Sequence, residues 1–188
     1  MLYIMLHIFT NMYFNLWGTL KQGSVFMKSE NYYRLRKNVL KELADSFSSI
    51  QDTYKYLKKL NKHNINVLGA AEWILDNIYL VEKEYKCVKK EMPLDYFKGL
   101  PQDYTLPRIF NVAKNYISSS RNVSVEELEE YINGVQEGKI EEAFTMGELW
   151  AFPLMLKAAL IINLSKYTDE LCEAQKKFVE KNDRNYKD

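Results

Sequence analysis

The stretch Leu149-Trp150-Ala151-Phe152-Pro153-Leu154-Met155-Leu156-Lys157-Ala158-Ala159-Leu160-Ile161-Ile162-Asn163-Leu164 carries one charge, Lys157, in sixteen residues and decides the fold. It is shorter than a membrane-spanning helix normally needs and holds a lysine inside it, so it reads as a helix buried within a protein core. Thr145 and Glu148 precede it with T-x-x-E spacing, in which each side chain reaches a backbone donor of the other at a helix start. Pro153 falls in the first turns, where a missing donor costs little. The reading is therefore an all-α protein organised around this element. Beyond Lys166 the pattern becomes charged and mixed, with Tyr167, Leu171, Phe178 and Val179 on one side.

Working outward, the same 3.6-residue rhythm recurs. From Asn31 to Asn61 the apolar residues Tyr32, Leu35, Val39, Leu43, Phe47, Ile50, Tyr54, Leu57 and Leu60 form one stripe. Ser46, Ser48 and Ser49 suggest a break in that helix, because Ser competes for backbone hydrogen bonds. A second helix is expected from Val67 to Glu91, stopped by Pro93. Pro93 to Leu106 reads as an aromatic loop lying across the bundle. Pro107 suits the first turn of a third helix, which ends at Ser118 to Ser120. Ser124 with Glu127 repeats the capping spacing and starts a fourth helix, Val125 to Gln136. The expectation is a single bundle of five to six helices with short loops, spanning residues 27–182, with residues 183–188 as a frayed tail.

Composition excludes several classes of function. Twenty-six Lys and Arg stand against 25 Asp and Glu, for a net charge of +1, so nothing electrostatic favours nucleic acid. Cys87 and Cys172 lack the spacing of a zinc or redox motif, and His7 and His63 are the only histidines. Both cysteines read as buried free thiols of a reducing compartment, and neither metal nor cofactor is expected. The sequence holds no glycine-rich phosphate loop, no G-x-S-x-G and no H-E-x-x-H.

Residues 1–26 form an apolar leader whose first twenty positions carry no Lys, Arg, Asp or Glu. Three readings of it stand: a secretory signal, a membrane anchor, or an upstream extension of a chain that properly begins at Met27. The last is preferred, because the signal's basic start and cleavage site are missing and His7, Asn11 and Asn15 weaken a span. Residues 1–20 remain the route by which the chain would associate with a membrane.

Glu72 and Asp76, four apart on one helix face, have the look of an acid/base pair, but no opposing acid is in prospect and a solvated face explains them. Trp73 and Trp150 sit at spacings that favour packing over sugar stacking. Arg108, just after Pro107, is expected to form a fold-fixing ion pair with a carboxylate such as Glu148 or Asp76. Trp73, Asp76, Arg108, Glu148 and Trp150 are thus structural or interface candidates, and no residue is assigned to catalysis.

Four stretches, Ala70-Ala71-Glu72-Trp73-Ile74-Leu75-Asp76-Asn77, Asp95-Tyr96-Phe97-Lys98-Gly99-Leu100-Pro101, Leu106-Pro107-Arg108-Ile109-Phe110 and the run from Met146 to Lys157, resemble in order and spacing successive blocks of the N-terminal region of cyclic β-1,2-glucan synthases. The resemblance covers roughly residues 31–166. It implies a very large membrane enzyme that builds β-1,2-linked glucan from UDP-glucose, with a membrane-embedded glycosyltransferase domain after the helical region and a phosphorylase-like glycoside hydrolase domain at the far end. The paired aspartates that hold a metal-bound sugar nucleotide and the Q-x-x-R-W signature of processive transferases are not in these 188 residues, so no family catalytic residue carries over. The expected role is a truncated or separately encoded scaffold, cytoplasmic or at the inner face of the plasma membrane. Its partner would be the glycosyltransferase domain of the same or an adjacent polypeptide. The competing reading is a free-standing helical interaction module, peripheral to the membrane, without a carbohydrate role.

Overall fold

Apolar stripes at helical spacing have each found a partner surface in the computed structural model, which describes residues 29–120, 124–138 and 142–185. The apolar leader, residues 1–26, and residues 186–188 of the tail lie outside the described residues. Five α-helices are present among the described residues: α1 (Ser29–Lys62), α2 (Gly69–Glu91), α3 (Arg108–Ser119), α4 (Val125–Gln136) and α5 (Met146–Asn185). The protein is all-α, with one small exception. Gln102–Asp103 (β1) and Leu106–Pro107 (β2) pair antiparallel, Gln102 opposite Pro107 and Asp103 opposite Leu106, around a turn in which Tyr104 takes a positive φ of 54°. A 3-10 turn, Leu94–Phe97, precedes the hairpin within the expected aromatic loop.

Three boundaries differ from the sequence reading. The break at Ser46–Ser49 does not occur, and α1 runs through it. The Ser49 hydroxyl donates to the Asp169 carboxylate on α5 instead of competing within its own helix. Pro107 precedes the third helix rather than entering it: it holds extended backbone (φ −60°, ψ 136°) as the N-cap and lies in β2. The apolar run and the charged stretch beyond Lys166 are one 40-residue helix, α5, with Pro153 inside it.

Helix ends follow local chemistry. At the end of α1, Asn64 adopts a positive φ of 56°, the Ile65 N–H donates to the Leu60 carbonyl at 3.1 Å and the Asn64 N–H to the Asn61 carbonyl at 3.0 Å. This is the Schellman arrangement with Asn in the left-handed position, where its short polar side chain is tolerated. At the start of α4 the Ser124 hydroxyl accepts from the Glu127 N–H at 3.1 Å.

The described residues cluster into two compact units: α1 up to Arg36 with Pro93–Leu156, and Lys37–Met92 with the chain from Lys157 onward. The first is centred on Phe97, Phe110, Phe152 and Leu154, all essentially without exposed surface. Aromatic pairs brace it, with Phe144 and Phe152 centroids 5.5 Å apart and Tyr116 and Tyr131 4.7 Å apart. The second buries Leu43, Ile50, Leu57, Ala71 and Val88, and stacks Phe47 on Tyr85 with centroids 4.0 Å apart. Helix α5 is long and apolar enough to cross a membrane by length and composition, yet 56% of its most apolar window is buried within the protein.

Candidate functional site

The polar residues gathered most tightly in the first unit surround Arg108. Helix α3 begins at this residue because Pro107 supplies an extended N-cap, and the Arg108 N–H donates to the Pro101 carbonyl at 2.8 Å, anchoring the helix start to the loop before β1. The guanidinium then reaches the segment leading into α5. Its Nε donates to Glu148 Oε1 at 2.8 Å and its Nη2 to Glu148 Oε2 at 2.6 Å, a two-pronged contact matched to carboxylate geometry. Nη2 also donates to the Ala143 carbonyl at 3.2 Å and Nη1 to the Glu142 carbonyl at 3.1 Å. The Phe144 ring lies 5.8 Å from the guanidinium carbon.

Glu148 is fully buried, and its oxygens are spoken for. Oε2 accepts from the Thr145 N–H and from the Thr145 hydroxyl, both at 3.0 Å, while the Glu148 N–H donates to Thr145 Oγ1 at 3.3 Å. This is the reciprocal capping box that the T-x-x-E spacing implied. Burial pushes the carboxyl pKa up, but the hydrogen bonds from Arg108, the backbone bond from Thr145 and the guanidinium charge together outweigh it and hold the group below its ordinary value. Beside it, Gln136 treats Phe144 as a strand would. Its Oε1 accepts from the Phe144 N–H at 2.9 Å, and its Nε2 donates to the Phe144 carbonyl at 3.4 Å.

Of the carboxylates considered for Arg108, Glu148 is thus the one that the structure brings to it. Glu72 and Asp76 sit exposed on α2, in the second unit. The two tryptophans belong to different units and are not the packed residues their spacing suggested: Trp73 is 40% and Trp150 45% exposed. Trp150 stays on the surface because its helix turns Ala151, Phe152, Leu154 and Met155 inward. Glu148, by contrast, is fully buried in the first unit.

Two polar features went unread in the sequence. Gln175, fully buried on α5, accepts from the Leu68 N–H at 2.8 Å and donates to the Asn66 carbonyl at 3.1 Å, closing the connection between α1 and α2. Glu84, also buried, faces Lys157 with Nζ 3.6 Å from Oε2, too long for a hydrogen bond, and Oε2 has no hydrogen-bond partner. Position 84 lies on the α2 stripe three after Val81 and four before Val88, which was the available signal. On the same helix the Cys87 thiol donates to Glu91 Oε1 at 3.1 Å. Burial first, then that bond and the Glu91 charge, push its pKa up to about 11, so it stays protonated at neutral pH. Both cysteines are free, but they are only partly buried, not the buried thiols that the sequence suggested.

What these geometries define is a helical module in which a buried acid and a part-buried arginine hold segments of the chain together. No family model matches the chain, and no solved structure matches it. It is 32% identical over 106 residues to the cyclic β-(1,2)-glucan synthase NdvB of Rhizobium meliloti (strain 1021), a match that covers 54% of this chain and supports a relationship between the two. The match accounts for 4% of that protein's length.

Proposed function

We propose that this chain is a non-catalytic helical scaffold serving a glycosyltransferase of the cyclic β-1,2-glucan synthase kind, docked on the transferase region of the same or an adjacent polypeptide at the inner face of the plasma membrane. The observation that carries the reading is the 106-residue match to the glucan synthase. The Arg108 cluster is consistent with it. A general acid must exchange its proton with a substrate within hydrogen-bond reach, whereas the Glu148 carboxylate is buried beneath a guanidinium and a capping threonine. Exposed Trp73 and Trp150 offer apolar contact to a partner, as large exposed aromatics do at interfaces.

The test pairs two measurements. The purified full chain, incubated with radiolabelled UDP-glucose, incorporates no label into glucan. Tagged in its native host, it co-purifies with a polypeptide that does incorporate it, and the Trp73→Ala/Trp150→Ala variant recovers less. Incorporation by the chain alone overturns the scaffold reading, and isolation without any transferase favours the free-standing interaction module.

A further inference from the structure

On α2, in the second unit, Tyr79, Lys83, Lys86 and Lys90 follow one another at spacings of four, three and four, which return a helix to one face. The three lysines are exposed, and Tyr79, at the head of the row, shows 62% of its surface. The row runs about 16 Å along the helix axis. The carboxylates on the same face, Glu72 and Asp76, come eleven and seven positions before Lys83 and leave the C-terminal half of the face to the lysines.

Ion pairing gives a second, separate observation. Three other lysines of the unit, Lys55, Lys157 and Lys176, each stand beside a carboxylate, Asp52, Glu84 and Glu173. Lys83, Lys86 and Lys90 make no ion pair among the described residues, although Glu82 and Glu91 flank them in sequence. Glu91 accepts from the Cys87 thiol instead. A helical lysine ordinarily gains a little from an acid four positions away, whereas this row keeps its charge turned to the outside.

Chemistry narrows the partner. The chain as a whole carries +1, so it has no general attraction for a polyanion and any binding must be local to this face. Specific phosphate and nucleic-acid sites draw on the arginine fork, and α2 holds no arginine. Lysines are point charges that demand no fixed geometry, so a straight row of them matches a plane of anionic headgroups. A tyrosine at the end of the row suits the same boundary, where its ring meets apolar surface and its hydroxyl stays wet.

We propose that the face of α2 from Tyr79 to Lys90 lies on an anionic lipid surface, with the lysines against headgroup phosphates and the Tyr79 ring at the interface. This names the contact surface for the placement at the inner face of the plasma membrane proposed above, and it rests on that placement. It can fail while the scaffold reading stands, because vesicle binding tests the face and glucan incorporation tests the scaffold.

Cosedimentation of the full chain with vesicles tests it, one arm holding phosphatidylcholine alone and the other phosphatidylcholine with phosphatidylglycerol. Binding to the anionic vesicles exceeds binding to the neutral ones and falls as added salt screens it. Lys83→Gln/Lys86→Gln/Lys90→Gln weakens the anionic arm about tenfold or more, and Tyr79→Ala several-fold. Lys166→Gln/Lys177→Gln/Lys181→Gln, which removes the same charge from α5, changes it less than about twofold. Glutamine matches lysine in helix propensity, so both triple variants keep the helical circular dichroism of the wild type. Equal capture by the two kinds of vesicle, equal loss in the α5 variant, or tighter binding to a duplex oligonucleotide than to the anionic vesicles overturns the proposal.

Discussion

Among the described residues two carboxylates are buried beside a cation, and they are held very differently. Glu148 meets Arg108 through two bonds of 2.8 and 2.6 Å and shares Oε2 with the Thr145 N–H and hydroxyl. Glu84 meets Lys157 at 3.6 Å and leaves Oε2 without a hydrogen bond. A guanidinium is a planar fork that fixes the orientation of a carboxylate, and it has donors left over for the carbonyls of Glu142 and Ala143. An ammonium on a four-carbon stem is a point charge that neutralises its neighbour without orienting it. The first pair therefore organises backbone, whereas the second only offsets the cost of leaving a charge inside.

The contrast breaks most severely at Glu148. Glu148→Ala leaves the guanidinium, with 18% of its side chain exposed, facing a cavity and opens the cap of α5, so a loss of about 3–5 kcal/mol is expected from urea unfolding. Arg108→Lys keeps the charge and loses the fork, and the expected cost is about 2 kcal/mol by the same measurement. If lysine were to restore full stability, orientation would not be what the pair supplies.

Acid sharpens the comparison further. Because the Glu148 carboxyl sits below its ordinary value of 4.5 in the folded protein, its contribution is fully present above that pH and disappears as the pH falls through the folded value. The urea midpoint of the wild type should drop between about pH 5 and pH 3 more steeply than that of Glu148→Gln, which has no proton to gain there. Parallel curves would place the acid sensitivity elsewhere.

The smallest effect belongs to the looser pair. Glu84→Leu/Lys157→Met removes both charges and an unbonded oxygen, so the double variant is expected to unfold within about 1 kcal/mol of the wild type or to be more stable. A large loss would show that the Glu84–Lys157 contact fixes the packing of α2 on α5 as firmly as Arg108 fixes its own segment.

Much of the fold was written locally. Apolar residues at helical spacing marked α1, α2, α3 and α4 to within a few residues, since a helix face is set by positions three and four apart. The Thr145–Glu148 box was legible for the same reason: both partners lie within one turn. The hairpin of Gln102–Asp103 with Leu106–Pro107 was not, because two-residue strands carry no alternation to read.

By itself, then, the sequence determined the helices, their caps and the apolar faces that had to be covered, because these depend on neighbours a turn away. Only the tertiary structure decided that Arg108 would meet Glu148 forty positions on, that Gln175 would close the connection at Leu68, and that Ser49 would turn to Asp169 and leave α1 unbroken. Long polar side chains have many partners within reach in sequence. Which one they bond is fixed by where packing brings two distant segments of backbone together, a fact that no local pattern encodes.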